Sequence, residues 1–334
     1  MRRCADNPIL TRLDIPDLPP LIVDVSSVFN PGAIRMGDLD VLLLRVQTRG
    51  RETVWMVAES TDGERFSVRP RVVRIEGIEA INQTLYHIYD PRVTRIEETI
   101  YIVFAADTDE GCRLGVARTD NFERVELIGF GGGEESRNGV LFPERYNNRF
   151  LRLERPNRVP LAGGVTTGSE IVLAESEDLV RWRTLGPVMS GRPHYWDELI
   201  GSGPPPVKTR QGWLHIYHGI ATHFASSNIY QAGVVLLDLA DPRSVLARSR
   251  NNILEPRLPY ELTGQVPNVV FPSGMIVDQF DDEGFARPES LVRVYYGAAD
   301  TVVALATTTI EALLKKCGSH TETSPGTHPT DGRM

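Results

Sequence analysis

The word VAESTDGERF, residues 57 to 66, returns four more times in looser form. The copies are VARTDNF from Val116, LAESEDL from Leu173, LLDLADP from Leu236 and LATTTIE from Leu305. With Ala58, Ala117, Ala174, Leu237 and Ala306 taken as equivalent, the spacings are 59, 57, 63 and 69 residues. A second landmark keeps the same beat: a proline read as opening a strand, then a turn, then another strand. Pro31, Pro91, Pro143, Pro206 and Pro272 lie 60, 52, 63 and 66 residues apart. Two independent landmarks therefore share one period, which is the mark of a repeat architecture.

Between the landmarks, Val, Ile, Leu, Tyr and Phe occur in short runs bounded by Gly, Asp and Asn, the chemistry of strands and turns. GDLD, IEET, YNNR and TRQG sit where hairpins must reverse, and only TIEALLKK has a helical pattern. Each repeat holds about four strands, and four-stranded units repeated around an axis make propeller blades. The expected fold is all-β, a five-bladed β-propeller over residues 1–316 with a short C-terminal helix. Residues 317–334 are polar and rich in Gly, Pro, Ser and Thr, and are expected to form a disordered tail.

Bulk properties narrow the function. Hydrophobic residues make up 41% and charged residues 24% of the 334, enough for a sizeable core. A net charge of −8 argues against a nucleic-acid surface. Cys4, Cys112 and Cys317 are odd in number and widely separated, which fits a reducing compartment. No signal peptide and no run of membrane-spanning length is evident, so a soluble, cytoplasmic protein is expected. His87, His194 and His223 show no ligand spacing, and no metal is expected. GFGGGEES lacks the lysine and helix of a phosphate loop and reads as a flexible loop.

If the proline-led strands are the innermost ones, residues beside each proline converge on one pocket. These are Asn30, Asp90 with Arg92, Arg137 and Glu144, Lys208, and Phe271; further along the same strands come Arg45, Arg155, His218 and Asp300. Carboxylates, an amide, an arginine and an aromatic face suit a sugar. Arg137, Arg155 and His218 ask in addition for an anion, since arginine forks match phosphate or carboxylate. His215 reads as a core histidine.

YDPRVT, RNGVLFPE, LERP, IGSGPPPVKT, GWLHIYHG, VPNVVFPSG and YYGAADT resemble the signature words of glycoside hydrolase family 130, the β-mannoside phosphorylases and mannosidases. The resemblance runs in order from about Asn7 to Leu314 and itself implies a five-bladed propeller. It implies that Asp90 is the single carboxylic acid catalyst, protonating the leaving oxygen through the mannose 3-hydroxyl. Phosphate then inverts the anomeric carbon and α-mannose 1-phosphate leaves. It places Asn30, Arg45 and Asp300 around the sugar, where Phe271 would supply the aromatic face, and Arg137, Arg155 and His218 around phosphate. The implied partners are a β-mannoside oligosaccharide and inorganic phosphate as co-substrate, with no other cofactor, no nucleic acid and no membrane; a homo-oligomer stays open. Tyr89 before the acid, and the RNGVLFPE wording, resemble the β-1,2-mannobiose or oligomannan branch more than the β-1,4 branch.

One departure bears on the chemistry. Phosphorylases of the family carry a lysine directly before the IG-x-G word, where this chain has Leu199, preceded by Glu198. Lys208 lies nearby but opens a turn. Two alternatives follow: a β-mannosidase in which a carboxylate such as Glu198 activates water, and a non-catalytic propeller that binds sugars or proteins.

Overall fold

The computed structural model describes residues 1–131, 133–160, 166–222 and 227–318. The chain opens with a short strand β1 (Arg2–Arg3). Blade 1 then comprises β2 (Ser27–Met36), β3 (Leu39–Gln47), β4 (Thr53–Ser60) and β5 (Ser67–Val73), paired antiparallel in that order. Blade 2 comprises β7 (Leu85–Ile96), β8 (Thr99–Thr108), β9 (Gly111–Thr119) and β10 (Val125–Phe130), with β6 (Ile75–Glu76) on its outer edge. Blade 3 comprises β11 (Ser136–Leu141), β12 (Phe150–Pro156), β15 (Glu170–Ser176) and β16 (Arg183–Ser190). The strands β13 (Val159–Pro160) and β14 (Thr166–Thr167) form a separate two-stranded sheet. Blade 4 comprises β17 (Leu199–Ser202), β18 (Val207–Thr209), β19 (Gly212–Ala221), β20 (Ile229–Leu237) and β21 (Val245–Arg248). Blade 5 comprises β22 (Val270–Val277), β23 (Leu291–Ala298) and β24 (Val302–Thr309), and its outer strand is β1. The fold is the five-bladed propeller expected, closed by pairing Arg2 with Thr307 and Arg3 with Ala306.

The core is divided among the blade interfaces, because alternate residues of one strand face opposite neighbours. In β3, Leu42, Leu44 and Val46 pack toward blade 5, while Val41 and Leu43 pack toward blade 2. Both faces are covered, which is why DVLLLRV is almost continuously apolar rather than alternating. Hydrophobic clusters fill the remaining interfaces between blades 2 and 3, 3 and 4, and 4 and 5.

The repeated word is the third strand of each blade and the turn that ends it. Ala58, Ala117, Ala174, Leu237 and Ala306 are all fully buried there. The hydroxyl or carboxylate that follows caps the reversal: Ser60 Oγ, Thr119 Oγ1 and Ser176 Oγ accept the amides of Gly63, Phe122 and Leu179 at 2.8 Å, and Asp238 accepts that of Asp241. In the last copy Thr309 Oγ1 accepts the Ala312 amide and starts a helix instead, Ile310–Gly318. That helix takes in Cys317 and Gly318, which composition assigned to the tail; Cys317 is buried against the blade 4–5 core. The rest of the expected tail, 319–334, lies outside the described residues, as do His223 and part of GFGGGEES. The four expected reversals all occur, with Met36 opposite Leu39, Ile96 opposite Thr99, Tyr146 opposite Arg149 and Thr209 opposite Gly212.

The second landmark needs correction. Pro31, Pro91 and Pro272 lie inside the innermost strands, Pro143 follows β11, and Pro206 precedes β18. The internal prolines sit where the ladder register shifts, between Phe29 and Gly32, between Tyr89 and Arg92, and between Pro272 and Gly274. A bulge leaves an N–H unpaired, so a residue without one fits there, as at Pro31 and Pro91; Pro272 borders its bulge, whose unpaired residue is Ser273.

Candidate active site

The bulges build the site. On β2, β7 and β11 the unpaired residues include Asn30, Asp90 and Asn138, with φ of 46°, 53° and 54°. Asn and Asp tolerate this left-handed conformation better than most side chains. It breaks the in-out alternation and turns all three side chains into the axial cavity. Asp300 reaches the same cavity from the turn after β23, also left-handed at φ 49°. The cavity encloses about 330 Å³, and eight of the eleven side chains expected to converge line it: Asn30, Arg45, Asp90, Arg137, Arg155, His218, Phe271 and Asp300.

Asp90 is clamped by its neighbours. Its Oδ1 accepts hydrogen bonds from Asn30 Nδ2 and Arg45 Nη1, each at 2.9 Å. Burial pushes its pKa up, but Arg45, Arg92 and the Asn30 hydrogen bond outweigh burial and leave it below the usual carboxylate range. Asp300 is the opposite case. Burial and the charge of Asp90 push its carboxyl up to about 6, against the pull of Arg45. Two carboxyl groups in one cavity are thus driven apart in proton affinity. Arg45 itself lies between the rings of Phe29 (4.3 Å) and Tyr89 (4.9 Å), which hold its fork toward Asp90. Gly297 makes room: a Cβ there would come within 1.9 Å of Asn30 Oδ1.

The opposite wall comes from blades 3 and 4. Arg137 and Arg155 are directly paired across β11 and β12, which sets two guanidinium groups side by side. Arg137 is held by Asp107 at 3.3 Å, and Asp107 in turn accepts from Tyr89 Oη at 2.7 Å. Arg155 donates to Asn157 at 3.1 Å, and burial together with Arg137 pushes its pKa down to about 10. His218 is fully buried; burial, then Arg155 and Arg92, drive its pKa far down, so the imidazole is neutral. Its room is made by Gly201, directly opposite on β17, where a Cβ would lie 2.5 Å from His218 Cε1 and 2.6 Å from Asn138 Oδ1. His218 packs on Phe271 at 4.6 Å between ring centroids, joining the cationic wall to the aromatic one. Arg137 Nε, Arg155 Nε, Asn30 Oδ1 and Asn138 Oδ1 are buried without a protein partner. Buried polar atoms are normally satisfied, so the orphan N–H donors of Arg137 and Arg155 call for an acceptor-rich, anionic ligand, and the two amide oxygens for hydroxyl donors.

The family model of glycoside hydrolase family 130, described as β-1,4-mannooligosaccharide phosphorylase, matches residues 1–319. The chain belongs to glycoside hydrolase family 130. Among family 130 relatives, it is 32% identical over 292 residues to a 1,2-β-oligomannan phosphorylase of Thermoanaerobacter sp., covering 84% of this chain and 89% of that one. It is 30% identical over 282 residues to a β-1,4-mannooligosaccharide phosphorylase of Ruminococcus albus, covering 83% and 80%. Its structure resembles that of a β-1,2-mannobiose phosphorylase from Listeria innocua in complex with β-1,2-mannobiose. There the TM-score is 0.78 and the identity 26%, over 96% of this chain and 99% of the other.

Several residues of this family 130 site escape a sequence search. Asn138 is hidden because its bulge lacks the proline that flags Asn30 and Asp90. Tyr230, Asp107, Gln47, Arg51, Thr53 and His87 also line the cavity. Alternation along β3 places Gln47 on the same side as Arg45, a signal available once Arg45 is assigned. Three residues named near the prolines do not line the cavity: Arg92, and Lys208 and Glu144, whose Nζ and Oε2 pair with each other at 2.6 Å, joining blades 3 and 4. Leu199 is buried in β17, and Glu198 accepts a hydrogen bond from Thr222; neither lines the cavity. Arg92 lies beneath the cavity floor, fully buried. Among the described residues no cluster of three His, Cys, Asp or Glu side chains converges as a metal site.

Proposed function

We propose that the protein is an inverting phosphorylase of short β-mannosides, with β-1,2-linked mannobiose or oligomannan as substrate and α-mannose 1-phosphate as product. The observation that carries this is the division of one cavity into two walls. A clamped carboxyl, Asp90, with Asn30, Arg45 and Asp300, faces Arg137, Arg155 and His218. An inverting displacement needs an acid on one face and a nucleophile on the other. Phosphate brings its own nucleophilic oxygen, so one carboxyl acid suffices, and fixed cations hold the anion in line.

In this mechanism the phosphate oxygen bonds to the anomeric carbon as the bond to the leaving oxygen breaks. The leaving oxygen takes a proton from Asp90, relayed through the mannose 3-hydroxyl along the route the family resemblance implies. Hydrogen phosphate brings one proton and the product is a phosphate ester, so protons balance over a turnover. Asp90 is an anion in the ligand-free site, since its pKa is lowered. The negative charge of phosphate bound in the same cavity raises the proton affinity of nearby carboxyls. The acid is thereby armed in the ternary complex. Phe271 packs the sugar ring, and inorganic phosphate is the sole co-substrate. With Leu199 in place of a lysine, the anion site depends on three groups rather than four. The free cysteines are in keeping with a reducing compartment, which supports the reading of a cytoplasmic enzyme with access to inorganic phosphate.

The β-1,2 linkage is supported by the Thermoanaerobacter and Listeria similarities and by Tyr89 before the acid. The hydrolytic alternative requires a free carboxylate on the cationic wall. Asp107 stands there but is engaged by Tyr89 and Arg137, and Glu198 lies outside. The deciding experiment incubates the protein with β-1,2- and β-1,4-mannobiose, with and without phosphate. Mannose 1-phosphate from the β-1,2 disaccharide, formed only when phosphate is present, is the expected result. Free mannose at a rate indifferent to phosphate would establish a mannosidase instead.

A further inference from the structure

Arg92 is among the largest fully buried side chains of the described residues, yet it carries a charge and touches no solvent. Its Nε donates to the Gly203 carbonyl of blade 4 at 2.9 Å, and its Nη1 donates to the Asp90 carbonyl at 3.2 Å. Its guanidinium lies 5.3 Å from the centre of the Phe271 ring of blade 5. Nη2 is buried without a protein partner. One side chain on the axis thus joins the backbone of the acid, the strand beside His218 and the ring under the sugar. Gly203 follows β17 directly, where Gly201 pairs with His218, and the Gly203 amide donates to the Ile216 carbonyl.

Burying an isolated guanidinium is costly, and such groups persist where hydrogen bonds and a counter-charge compensate them. Here the counter-charge is Asp90, the one carboxylate that opposes the burial of Arg92, whose pKa is lowered to about 10. The Asp90 backbone is held at φ 53°, a conformation that persists only when its surroundings enforce it.

We propose that Arg92 is a positioning residue of the reaction: from beneath the cavity floor it fixes the aim of Asp90 and ties the acid to the phosphate wall. This rests on Asp90 being the acid. The charged or titratable groups around the pair are Arg45, Asp300 and Tyr230 on the cavity side, and His215 and His218 on blade 4. Both histidines are driven toward the neutral form by burial, with Arg92 contributing, so Arg45 and Arg92 are the cations that act on Asp90.

The test uses Arg92→Met, which keeps bulk and removes charge, and Arg92→Lys, which keeps charge but cannot fork between two carbonyls. The first readout is the titration of Asp90 by carboxyl carbon NMR on the full chain, which does not depend on turnover. Arg92→Met should raise that pKa by about one unit or more, the usual effect of a nearby cation. Arg92→Lys should leave it within a few tenths of a unit. The second readout is phosphorolysis, where kcat should fall at least about tenfold in Arg92→Met with a smaller change in the mannoside KM. The alkaline limb of its pH profile should shift upward with the Asp90 titration. Arg92→Met should add little further loss in an Asp90→Asn background, because both changes act through one group. A native Asp90 titration in folded Arg92→Met would overturn the proposal. If Arg92→Met does not fold, native kcat in Arg92→Lys would overturn it as well. Release of free mannose alone by the native chain would refute phosphorolysis, yet the Asp90 titration would still decide the role of Arg92.

Discussion

Asp90 and Asp300 show how one cavity gives the same side chain two proton affinities. Asp90 faces Asn30 and two arginines and is held below its usual range, whereas Asp300 is raised to about 6 by burial and by Asp90. Asp90→Asn should keep the fold and the sugar clamp, since the amide oxygen can still accept from Asn30 and Arg45. It should lose about 10²–10⁴-fold in kcat, the usual contribution of a positioned acid. Near-native turnover would remove Asp90 from its role. For Asp300, the folded protein holds the proton more tightly than the unfolded chain, whose carboxyl titrates near about 4. Stability is therefore lost as pH rises from about 4 to about 6, and the full penalty stands above that. Asp300→Asn should raise the melting temperature at pH 7.5 and change it little at pH 4, while activity falls. The gain is at most about 3 kcal/mol, less where water in the cavity screens the charge. An equal stability change at both pH values would refute the assignment. Across the cavity, Arg137→Ala and Arg155→Ala should each raise the phosphate KM far more than the mannoside KM. Unchanged phosphate dependence in both variants would move the anion site elsewhere.

At the scale of the element, the bulged inner strand is the working unit. A regular strand sends successive side chains toward the two neighbouring blades, and the shifted register on each of three strands frees Asn30, Asp90 and Asn138 to point at the axis. The cost of the left-handed backbone falls on Asn and Asp, which tolerate it best. The same strands need glycine where two blades crowd one functional group. At Gly201 an added methyl would collide with His218 and Asn138, the first at 2.5 Å. Gly201→Ala should therefore leave the sheet paired but displace His218. The phosphate KM should rise about tenfold or more, the worth of one charged hydrogen bond. A native phosphate KM in a correctly folded Gly201→Ala would show that His218 does not contact the anion.

The whole molecule depends on closing the ring. Blade 5 lacks an outer strand of its own until β1 pairs with β24, so the two ends of the propeller meet in one sheet. Arg3 locks that seam to the buried Glu261, with Nε to Oε1 at 2.7 Å and Nη2 to Oε2 at 2.9 Å. Glu261 also accepts from Tyr296 Oη at 2.8 Å and from the amides of Arg257 and Leu258. Removing one partner of a buried pair costs about 3–5 kcal/mol, because the remaining charge is stranded. Arg3→Ala should lower unfolding stability by roughly that amount in urea melts, without altering the KM for phosphate. A change of a few tenths of a kcal/mol would mean that the seam does not limit stability.

The repeat, the blade number, the hairpin turns and the terminal helix were all legible in the chain alone, because each is set by local chemistry at a regular period. The apolar runs, the Ser, Thr or Asp that caps each third strand, and TIEALLKK need only neighbours a few residues away. Asn30 and Asp90 were legible for the same reason, each standing beside a proline that marks a break in the ladder. Lys208 and Glu144 stand beside prolines too, and only the packing of blade 3 on blade 4 turned them toward each other instead of toward the axis. Asn138 lacks the proline, so its bulge appears only once β11 is paired with β12. Arg92 follows Asp90 by two residues, and nothing local says that its charge ends beneath the cavity, between carbonyls from blades 2 and 4. Sequence determined the beat of the fold and the residue types a mannoside and phosphate require. Tertiary structure decided which of them face one another, since that depends on contacts between blades that lie far apart along the chain.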